Sequence, residues 1–544
     1  MKSQNNDSDM TIFLFAFVCV VLFWIYKQIP KILYFIFSHK YLFGAIFSLS
    51  VTLLYAFAKR KFIQARDKKK EEKILETKTD DSFYIGVSEN GKPIYLPESA
   101  RIRHTQVVGT TSAGKTESVI VPWAVRDIEK GRGFIIIDGK SDRSLLDKLY
   151  SYCVLYKRTK DFRLFSLVNI NESHTYNPLT DGEPEEVAER VFASFTIENE
   201  YYRSVQFEIF KQVLMIFHKA TEIPTFIKLT QGISSPDILL TLAERGKDPL
   251  LINWALRFKG LAKDTLDERT SGLLNQLGFF TSGKTAKLFN TEHPSINIEK
   301  AMEEGLIIYF QLPAMKTPTL GKATGKMLLQ NIQSAVSSRH NTRDKNFPLF
   351  SIFLDDFTEY LTPSFVTLLN KSRSANVGVV FAHQALGDLA ALGDAIKNTI
   401  ITNANLKIFM RSNENESSEY YAKSYGTKAG TKVTERQTKS HLGTEKTGEG
   451  SIRDVEEFIF HPNIFKRELS IGEAVMIVPL NKGTHAVRLN LEKLDDLDPV
   501  EIPLVEKSEP RFFEVNLVKS ALTETKTKLT NEDIVMGASQ GGAA

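Results

Sequence analysis

The feature that most constrains this chain is an eight-residue motif with fixed glycine, lysine and threonine positions. It reads Gly109-Thr110-Thr111-Ser112-Ala113-Gly114-Lys115-Thr116 and matches the pattern G-x-x-x-x-G-K-S/T. An apolar run, HTQVV at 104–108, precedes the motif, and an amphipathic stretch, ESVIVPWAVRDIEK, follows it. Strand, loop and helix in this order direct backbone N–H groups and the positive end of the helix at phosphate oxygens. The motif therefore predicts an α/β fold built around a nucleotide.

The fixed residues of this P-loop have separate chemical tasks. Gly109 and Gly114 allow the loop to wrap closely, and Lys115 is expected to reach the β- and γ-phosphates. The Thr116 hydroxyl is expected to ligate Mg²⁺. We therefore predict ATP and Mg²⁺ as cofactors, with residues 109–116 binding the nucleotide.

A P-loop enzyme needs a carboxylate at the end of another strand, and the run LFSIFLDDF at 349–357 supplies two. Asp355 is expected to hold Mg²⁺ through water, and Asp356 to polarise the attacking water as the catalytic base. Capping of the next helix is the alternative for Asp356. If Asp356 is not the base, Glu359 is the next candidate.

Further candidates follow other predicted strands, at the edge where α/β sheets collect their ligands. Asp138 and Lys140, after FIIID, are candidates to position water or metal, and a structural role is the alternative. Gln384, next to His383, is a candidate to sense the γ-phosphate or orient water, or else to start a helix. Arg411 is a candidate arginine finger for a neighbouring subunit's nucleotide, with a salt bridge at the rim as the alternative.

Beyond residue 83, β-rich runs alternate with amphipathic stretches, which predicts a largely parallel sheet covered by helices. The predicted strands are HTQVV (104–108), FIIID (134–138), LIIYFQL (306–312), LFSIFLD (349–355), NVGVVFA (376–382), LKIFM (406–410) and AVMIV (474–478). Residues 183–290 show helical spacing alone and predict an all-α insertion. Residues 423–451 are rich in Gly, Thr and Lys, which predicts a mobile loop or a hairpin.

The first sixty residues contain two uncharged apolar runs, at 11–26 and 41–58. Each is slightly shorter than the ~20 residues that cross a bilayer, and together they predict two transmembrane helices. A cleaved signal peptide is the alternative for the first run. Residues 59–73 contain eight Lys/Arg and three Asp/Glu, a local charge of +5 (8 − 3), and are expected to stay in the cytoplasm.

Composition excludes other classes of protein. The net charge is +4 (69 − 65), so everything outside 59–73 sums to −1 and excludes a generally basic surface. Two cysteines in 544 residues exclude a disulfide framework.

Several segments together resemble the coupling proteins of type IV secretion and conjugation systems, the TraD/TraG group, and most closely its DotL-like branch. The segments are HTQVVGTTSAGKTES, GRGFIIIDGKSDRSLLDKLYS, LIIYFQLPAMK, FLDDFTEY, VVFAHQALGDL and NANLKIFMRSNENESSEYYAKSYG. The resemblance covers most of residues 80–490. The sequence departs from the family at Asp356, where Glu is common. The shorter side chain of aspartate must then reach the same water, which bears on the rate of hydrolysis.

The resemblance implies a RecA-like P-loop ATPase that forms hexamers at the bacterial inner membrane, with its motor in the cytoplasm. Its implied partners are other components of the secretion channel, and a relaxase–DNA complex, secreted effector proteins or both. The implied activity is ATP hydrolysis that drives delivery of these substrates into the channel. The expected domains are a membrane anchor (1–60), a basic linker (61–82), a nucleotide-binding domain in two parts (83–182 and 291–500), the all-α insertion (183–290) and a tail (501–544).

Two other functions remain open from the sequence. One is a DNA pump of the FtsK type. The other is a nucleotide-gated cargo receptor that binds ATP and scarcely hydrolyses it, which the shorter Asp356 favours. Steady-state ATPase activity, with and without single-stranded DNA, distinguishes the receptor from the motor.

Overall fold

The computed structural model describes residues 26–31, 52–60, 75–313, 315–342, 346–440, 443–480 and 483–513. The chain divides into two compact units, Met1–Lys73 and Ile74–Ala544. In the first unit, residues 26–31 and 52–60 are helical. Within the described residues, no helix combines the length and apolarity needed to span a bilayer. Most of both predicted membrane runs lies outside the described residues.

The second unit is an α/β structure. Its strands are β1 (Ser82–Ser88), β2 (Pro93–Pro97), β3 (Thr105–Val108), β4 (Phe134–Asp138), β5 (Phe162–Ser166), β6 (Ile307–Gln311), β7 (Phe350–Asp355), β8 (Val377–His383), β9 (Leu406–Phe409), β10 (Thr427–Ser440), β11 (Gly443–Phe458), β12 (Glu473–Leu480) and β13 (Gly483–Leu491). Each predicted strand is present, with ends that agree to within two residues. The prediction missed β1, β2, β5 and β13.

Eleven of these strands form one mixed sheet in the described part of the chain, in the order β2-β1-β13-β12-β9-β3-β8-β7-β4-β6-β5. The strands from β9 to β5 in that order run parallel. The other four extend the sheet in antiparallel pairs. The predicted α/β class is confirmed. The sheet is parallel in the region of the nucleotide motif and antiparallel beyond β9.

The helices cover both faces of this sheet. They are α1 (Glu98–Arg101), α2 (Val121–Glu129), α3 (Arg143–Leu155), α4 (Pro184–Phe192), α5 (Glu200–Lys219), α6 (Phe226–Ser234), α7 (Pro236–Gly246), α8 (Pro249–Lys259), α9 (Lys263–Thr281), α10 (Ala286–Phe289), α11 (Ile298–Glu304), α12 (Pro318–Asn341), α13 (Ser364–Ser372), α14 (Asp394–Asn403) and α15 (Asn415–Tyr425). Because side chains alternate along a strand, Ile135 and Ile137 of β4 enter one core while Phe134 and Ile136 enter the other. Both faces of β4 are therefore apolar and buried, as expected for a central parallel strand.

The segment 183–290 contains helices α4 to α10 and no strand among its residues, all of which the structure describes. A β-bridge between Tyr176 and Ile296 joins the chain just before this segment to the chain just after it. Phe210 and Phe217 of α5 belong to the same hydrophobic core as Ile135 and Ile137. The helices of this segment therefore share one hydrophobic core with the sheet, which Phe289 of α10 contacts directly through Phe165 of β5, with ring centroids 5.3 Å apart.

Two further segments complete the unit. β10 and β11 pair as an antiparallel ribbon from Thr427↔Phe458 to Ser440↔Gly443, which is the predicted hairpin. After β13, residues 492–513 run without regular structure as a strap that contacts both layers of helices. The Tyr152 hydroxyl of α3 donates to the Asp495 carbonyl at 2.8 Å. At the far end, the Phe513 N–H donates to Gln231 Oε1 of α6 at 2.9 Å.

Candidate functional site

The P-loop connects β3 to a helical segment and is held by the strand beside it. The Thr110 N–H donates to the Arg411 carbonyl after β9 at 2.9 Å. A Cβ at Gly109 would lie 2.8 Å from the Met410 Cβ, so only glycine allows this close approach. Gly114 has a φ of +98°, a conformation that side chains disfavour. The two fixed glycines therefore serve backbone geometry, as the motif predicts.

The helix after the loop begins with a π-helical turn, Thr116–Ile120, and continues as α2. Pro122 occupies the first turn of α2, where it has no N–H to donate to the preceding turn. The sequence predicts one continuous α-helix here. The structure differs in that the first turn is a π-helical turn, which is wider than an α-helical one.

Lys115 lies folded onto its own loop. Its Nζ donates to the Gly109 carbonyl at 2.7 Å and to the Thr110 carbonyl at 3.1 Å. Burial lowers the pKa of Lys115, and the nearby carboxylates of Asp356 and Asp355 oppose that effect. In this structure the Lys115 ammonium group, which the motif predicts to bind phosphate, therefore donates its hydrogen bonds to carbonyl oxygens of its own loop.

The side chains of Thr116, at the end of the P-loop, and Asp355, at the end of β7, are in contact, as a shared metal site would require. The Thr116 hydroxyl donates to Asp355 Oδ2 at 2.7 Å. Asp355 is 2% exposed, and its Oδ1 has no hydrogen-bond partner. Burial raises the pKa of Asp355, and the negative charge of Asp356 adds to the rise.

An unpartnered buried carboxylate oxygen beside a threonine hydroxyl fits Mg²⁺, which prefers oxygen ligands and keeps several waters. In the part of the chain that the structure describes, no three His, Cys, Asp or Glu side chains cluster as a metal cage. Thr116 and Asp355 are the residues that would hold Mg²⁺.

Asp356 follows β7 in a left-handed conformation, with φ 47° and ψ 48°. Its Oδ2 lies 2.6 Å from Lys140 Nζ, and no cap bond joins its side chain to the 3₁₀ turn that follows. The structure therefore replaces the capping alternative with an ion pair. Glu359 lies in that turn and pairs with Lys322 through side chains that are both about half exposed.

Asp138, at the end of β4, holds the loop that carries Lys140. It accepts the Tyr309 hydroxyl at 2.8 Å and the N–H groups of Lys140, Ser141 and Asp142 at 2.8–3.0 Å. Burial raises the pKa of Asp138 to about 6. Both of its oxygens are engaged, so its observed role is structural.

Gln384 and His383 lie at the end of β8, next to the P-loop strand. The Thr111 hydroxyl donates to Gln384 Oε1 at 3.0 Å, which brings Gln384 to the tip of the P-loop. The His383 ring is buried between Gln106 Nε2 at 3.0 Å and the Ala385 carbonyl at 2.7 Å. Burial lowers the pKa of His383 to about 4, so the ring is neutral and positions the turn that carries Gln384.

Arg411 lies beside the P-loop of its own chain, because β9 pairs with β3. Its carbonyl accepts the Thr110 N–H, and its guanidinium has no ion pair with any residue that the structure describes. The rim salt bridge is therefore not observed within the described residues. The predicted role in a neighbouring subunit stays a prediction, and the position beside the P-loop of the same chain favours a role within one chain instead.

The sequence did not predict the polar residues beneath the P-loop. Gln106 of β3 contacts His383, and Lys407 of β9 lies 3.5 Å from Gln106 Oε1. Burial lowers the pKa of Lys407 to about 8. A signal was available, because glutamine and lysine interrupt otherwise apolar strands.

Comparison with known proteins relates this site to a family. Residues 350–464 match the family described as the TraM recognition site of TraD and TraG. Type 4 coupling protein DotL of Legionella pneumophila is 23% identical in an alignment of 424 positions that covers 66% of this chain and 53% of that relative. This chain resembles type IV coupling proteins. It spans about half the length of DotL.

Solved structures of a coupling protein share the fold. Unbound TrwB, a bacterial conjugative coupling protein, has 14% identity and a TM-score of 0.56, covering 78% of this chain and 93% of that chain. TrwB in complex with ADP and Mg²⁺ has 15% identity and a TM-score of 0.54, with the same coverage. The resemblance to coupling proteins that the sequence motifs predicted is confirmed, and the likeness to TrwB extends it to the fold.

Proposed function

We propose that this chain is an ATP-hydrolysing coupling protein that delivers DNA–protein or protein substrates to a type IV secretion channel. The observation that carries the proposal is the pair of Thr116 and buried Asp355, whose Oδ1 has no partner, directly beneath a complete P-loop. TrwB, which shares this fold, binds ADP with Mg²⁺ and non-hydrolysable analogues of GTP and ATP.

In this proposal each residue has one task. Mg²⁺, when bound, supplies positive charge to the phosphate oxygens. ATP offers phosphate oxygens to Lys115 Nζ in place of the Gly109 and Thr110 carbonyls. Water attacks the γ-phosphorus as the bond to the bridging oxygen of ADP breaks, and Asp356 accepts the proton that the water releases. Gln384, already at the tip of the P-loop, orients that water or contacts the γ-phosphate.

The cellular role rests on the relatives. DotL is a type 4 coupling protein, and the matched family is a recognition site for TraM in TraD and TraG. We therefore place this chain at the bacterial inner membrane, with its motor in the cytoplasm and residues 1–60 as the anchor. We also propose that the chain forms a homo-hexameric ring and binds other channel components. The inserted domain at 183–290 selects the cargo.

The decisive test is steady-state ATP hydrolysis by the full chain, with and without single-stranded DNA. The matched control is Lys115→Ala, which removes the phosphate ligand and leaves Thr116 and Asp355 in place. We expect turnover by the parent and none by Lys115→Ala. Equal turnover by both proteins would contradict the site assignment.

A second function is favoured by one observation, the ion pair between Lys140 and Asp356. A base already paired with a lysine, and shorter than glutamate, suits a receptor that binds ATP and scarcely hydrolyses it. Nucleotide binding by the parent without turnover above the Lys115→Ala control would select this receptor function.

A further inference from the structure

The ion pair between Lys140 and Asp356 joins two loops that leave neighbouring strands. β4 and β7 run parallel in the register Asp138↔Asp355, so the residues that follow them are brought side by side. The Gly139 N–H donates to the Asp355 carbonyl at 3.3 Å. A Cβ at Gly139 would lie 2.7 Å from the Asp356 carbonyl oxygen, so this approach requires glycine.

The lysine in this pair is anchored through its backbone. Asp138 Oδ1 accepts the Lys140 N–H at 2.9 Å, and Asp138 itself is fixed by the Tyr309 hydroxyl. Burial opposes the charge on Lys140, but Asp356, together with the other carboxylates nearby, outweighs it and raises the lysine pKa. Lys140 is therefore a cation on a fixed loop, aimed at the carboxylate of Asp356.

The carboxylate, in contrast, is attached to an unfavourable backbone. Asp356 has a φ of 47°, a conformation that non-glycine residues rarely adopt. Its side chain makes no cap bond to the turn that follows. The contact with Lys140 at 2.6 Å engages Oδ2, which leaves Oδ1 as the oxygen able to accept a proton from water.

We propose that Lys140 is a positioning residue for the reaction at this site: it holds Asp356 Oδ2 so that a short carboxylate presents Oδ1 to the attacking water. The inference rests on the proposed ATPase function and adds a residue to it. It also gives a physical reason why aspartate serves where related motors commonly have the longer glutamate. A fixed cation replaces the packing that would otherwise orient the base.

The experiment measures kcat and KM for ATP with the full chain carrying Lys140→Ala, Lys140→Met or Lys140→Arg. Positioning of the base affects the chemical step, so we expect kcat to fall at least about tenfold in the first two variants while KM stays within about twofold. Lys140→Arg keeps the charge and several donors and is expected to recover most of kcat. A purely structural lysine would not require the charge for recovery.

Two controls make the result specific. Lys322→Ala removes a lysine of similar exposure that pairs with Glu359, three residues from Asp356, and is expected to keep the parental kcat. In an Asp356→Asn background, Lys140→Ala is expected to cause no further loss, because the two residues act as one unit.

The outcomes separate this proposal from the proposed function. Parental kcat in Lys140→Ala overturns the positioning role while leaving the ATPase intact. A raised KM with unchanged kcat also overturns it, because Lys140 would then bind phosphate directly. A parent with no turnover above Lys115→Ala contradicts the ATPase, and the positioning role falls with it.

Discussion

Asp355 and Asp356 are neighbours in sequence, yet the structure gives them different surroundings. Asp355 is buried against Thr116 with one unpartnered oxygen, and Asp356 is partly exposed against Lys140. Adjacent carboxylates can therefore divide metal holding from proton transfer.

This division predicts different effects for two matched substitutions. Asp355→Asn is expected to remove the Mg²⁺ dependence of nucleotide binding, because the amide offers no charge to the cation. Asp356→Asn is expected to bind Mg²⁺ and ATP normally and to hydrolyse ~10²–10⁴-fold more slowly. Titration calorimetry with and without Mg²⁺, followed by turnover assays, measures both effects. Parental turnover in Asp356→Asn would move the base elsewhere.

A second residue, His104, is predicted to make stability depend on pH. Its Nε2 contacts the Leu369 carbonyl at 2.8 Å, and its Nδ1 accepts the Val379 N–H at 3.2 Å, an arrangement of the neutral ring. Burial lowers its pKa from 6.5 to about 4. The unfolded chain therefore binds a proton in this range that the folded chain rejects, and stability falls as pH falls from 6.5 towards 4.

By pH 5 the loss is expected to be about 2 kcal/mol of unfolding free energy. The control is His104→Asn, which does not titrate and tolerates the left-handed backbone at this position, φ 58°. Urea unfolding at pH 7 and pH 5 should show a smaller difference for the variant. An identical difference in both proteins would assign the pH dependence to other groups.

At the scale of elements, the strap 492–513 joins the sheet to the helices of segment 183–290. Phe513 is 7% exposed, lies 5.9 Å from the Phe217 ring of α5 and has Lys228 Nζ 5.6 Å from its ring centroid. Its neighbour Phe512 is 60% exposed. The two adjacent phenylalanines provide a matched comparison.

Phe513→Ala is expected to cost about 3 kcal/mol, since the change removes a buried ring and leaves a cavity. Phe512→Ala is expected to cost less than about 0.5 kcal/mol, as is usual for exposed positions. Hydrogen exchange of the α5 and α6 amides should increase in Phe513→Ala alone. Equal exchange in both variants would show that the end of the strap does not stabilise these helices.

The elements also show which features the sequence could predict. Long apolar runs such as FIIID marked β4 and the other central strands, because both of their faces are buried. The strands missed, such as β5 with Arg163 and β13 with Arg488 and Asn490, carry charged or polar residues toward one face. Their strand character depends on pairing with distant segments, which no local pattern records.

At the candidate site, too, local patterns could be predicted from the sequence and contacts between distant segments could not. The P-loop and the two aspartates were found because their spacing is local and chemically fixed. The partners of those residues were not: the sequence makes Lys140 a candidate to position water or metal, whereas the structure pairs it with Asp356. Register between β4 and β7 creates that pair, and register is a property of the folded sheet.

At the scale of the whole molecule, the placement of Arg411 bears on assembly. Its carbonyl is bonded to the P-loop of the same chain, and β9 is an interior strand of the sheet. We therefore expect Arg411→Ala to bind ATP and hydrolyse it more slowly, and mixing it with Lys115→Ala to recover no activity. If both residues act within one chain, every site in a mixed assembly lacks either Lys115 or Arg411.

The mixing experiment requires that assembly of the two variants be shown, by sedimentation or native mass spectrometry. Recovery of turnover in mixed assemblies would contradict a role within one chain and support the arginine finger between subunits. Parental turnover by Arg411→Ala alone would make the residue structural.

The pairing of β3 with β8 and β9 has a consequence for biosynthesis. The P-loop strand ends at Val108, and β9 ends at Phe409, 301 residues later (409 − 108). At about 5–20 residues per second, a ribosome needs roughly 15–60 s to supply the neighbours of β3. Until β8 is complete at His383, the four residues of the strand, all buried in the finished sheet, have neither neighbour, and they depend on other parts of the nascent chain or on chaperones for cover. A nascent chain that ends before β9 contains the whole nucleotide motif but cannot yet form its site.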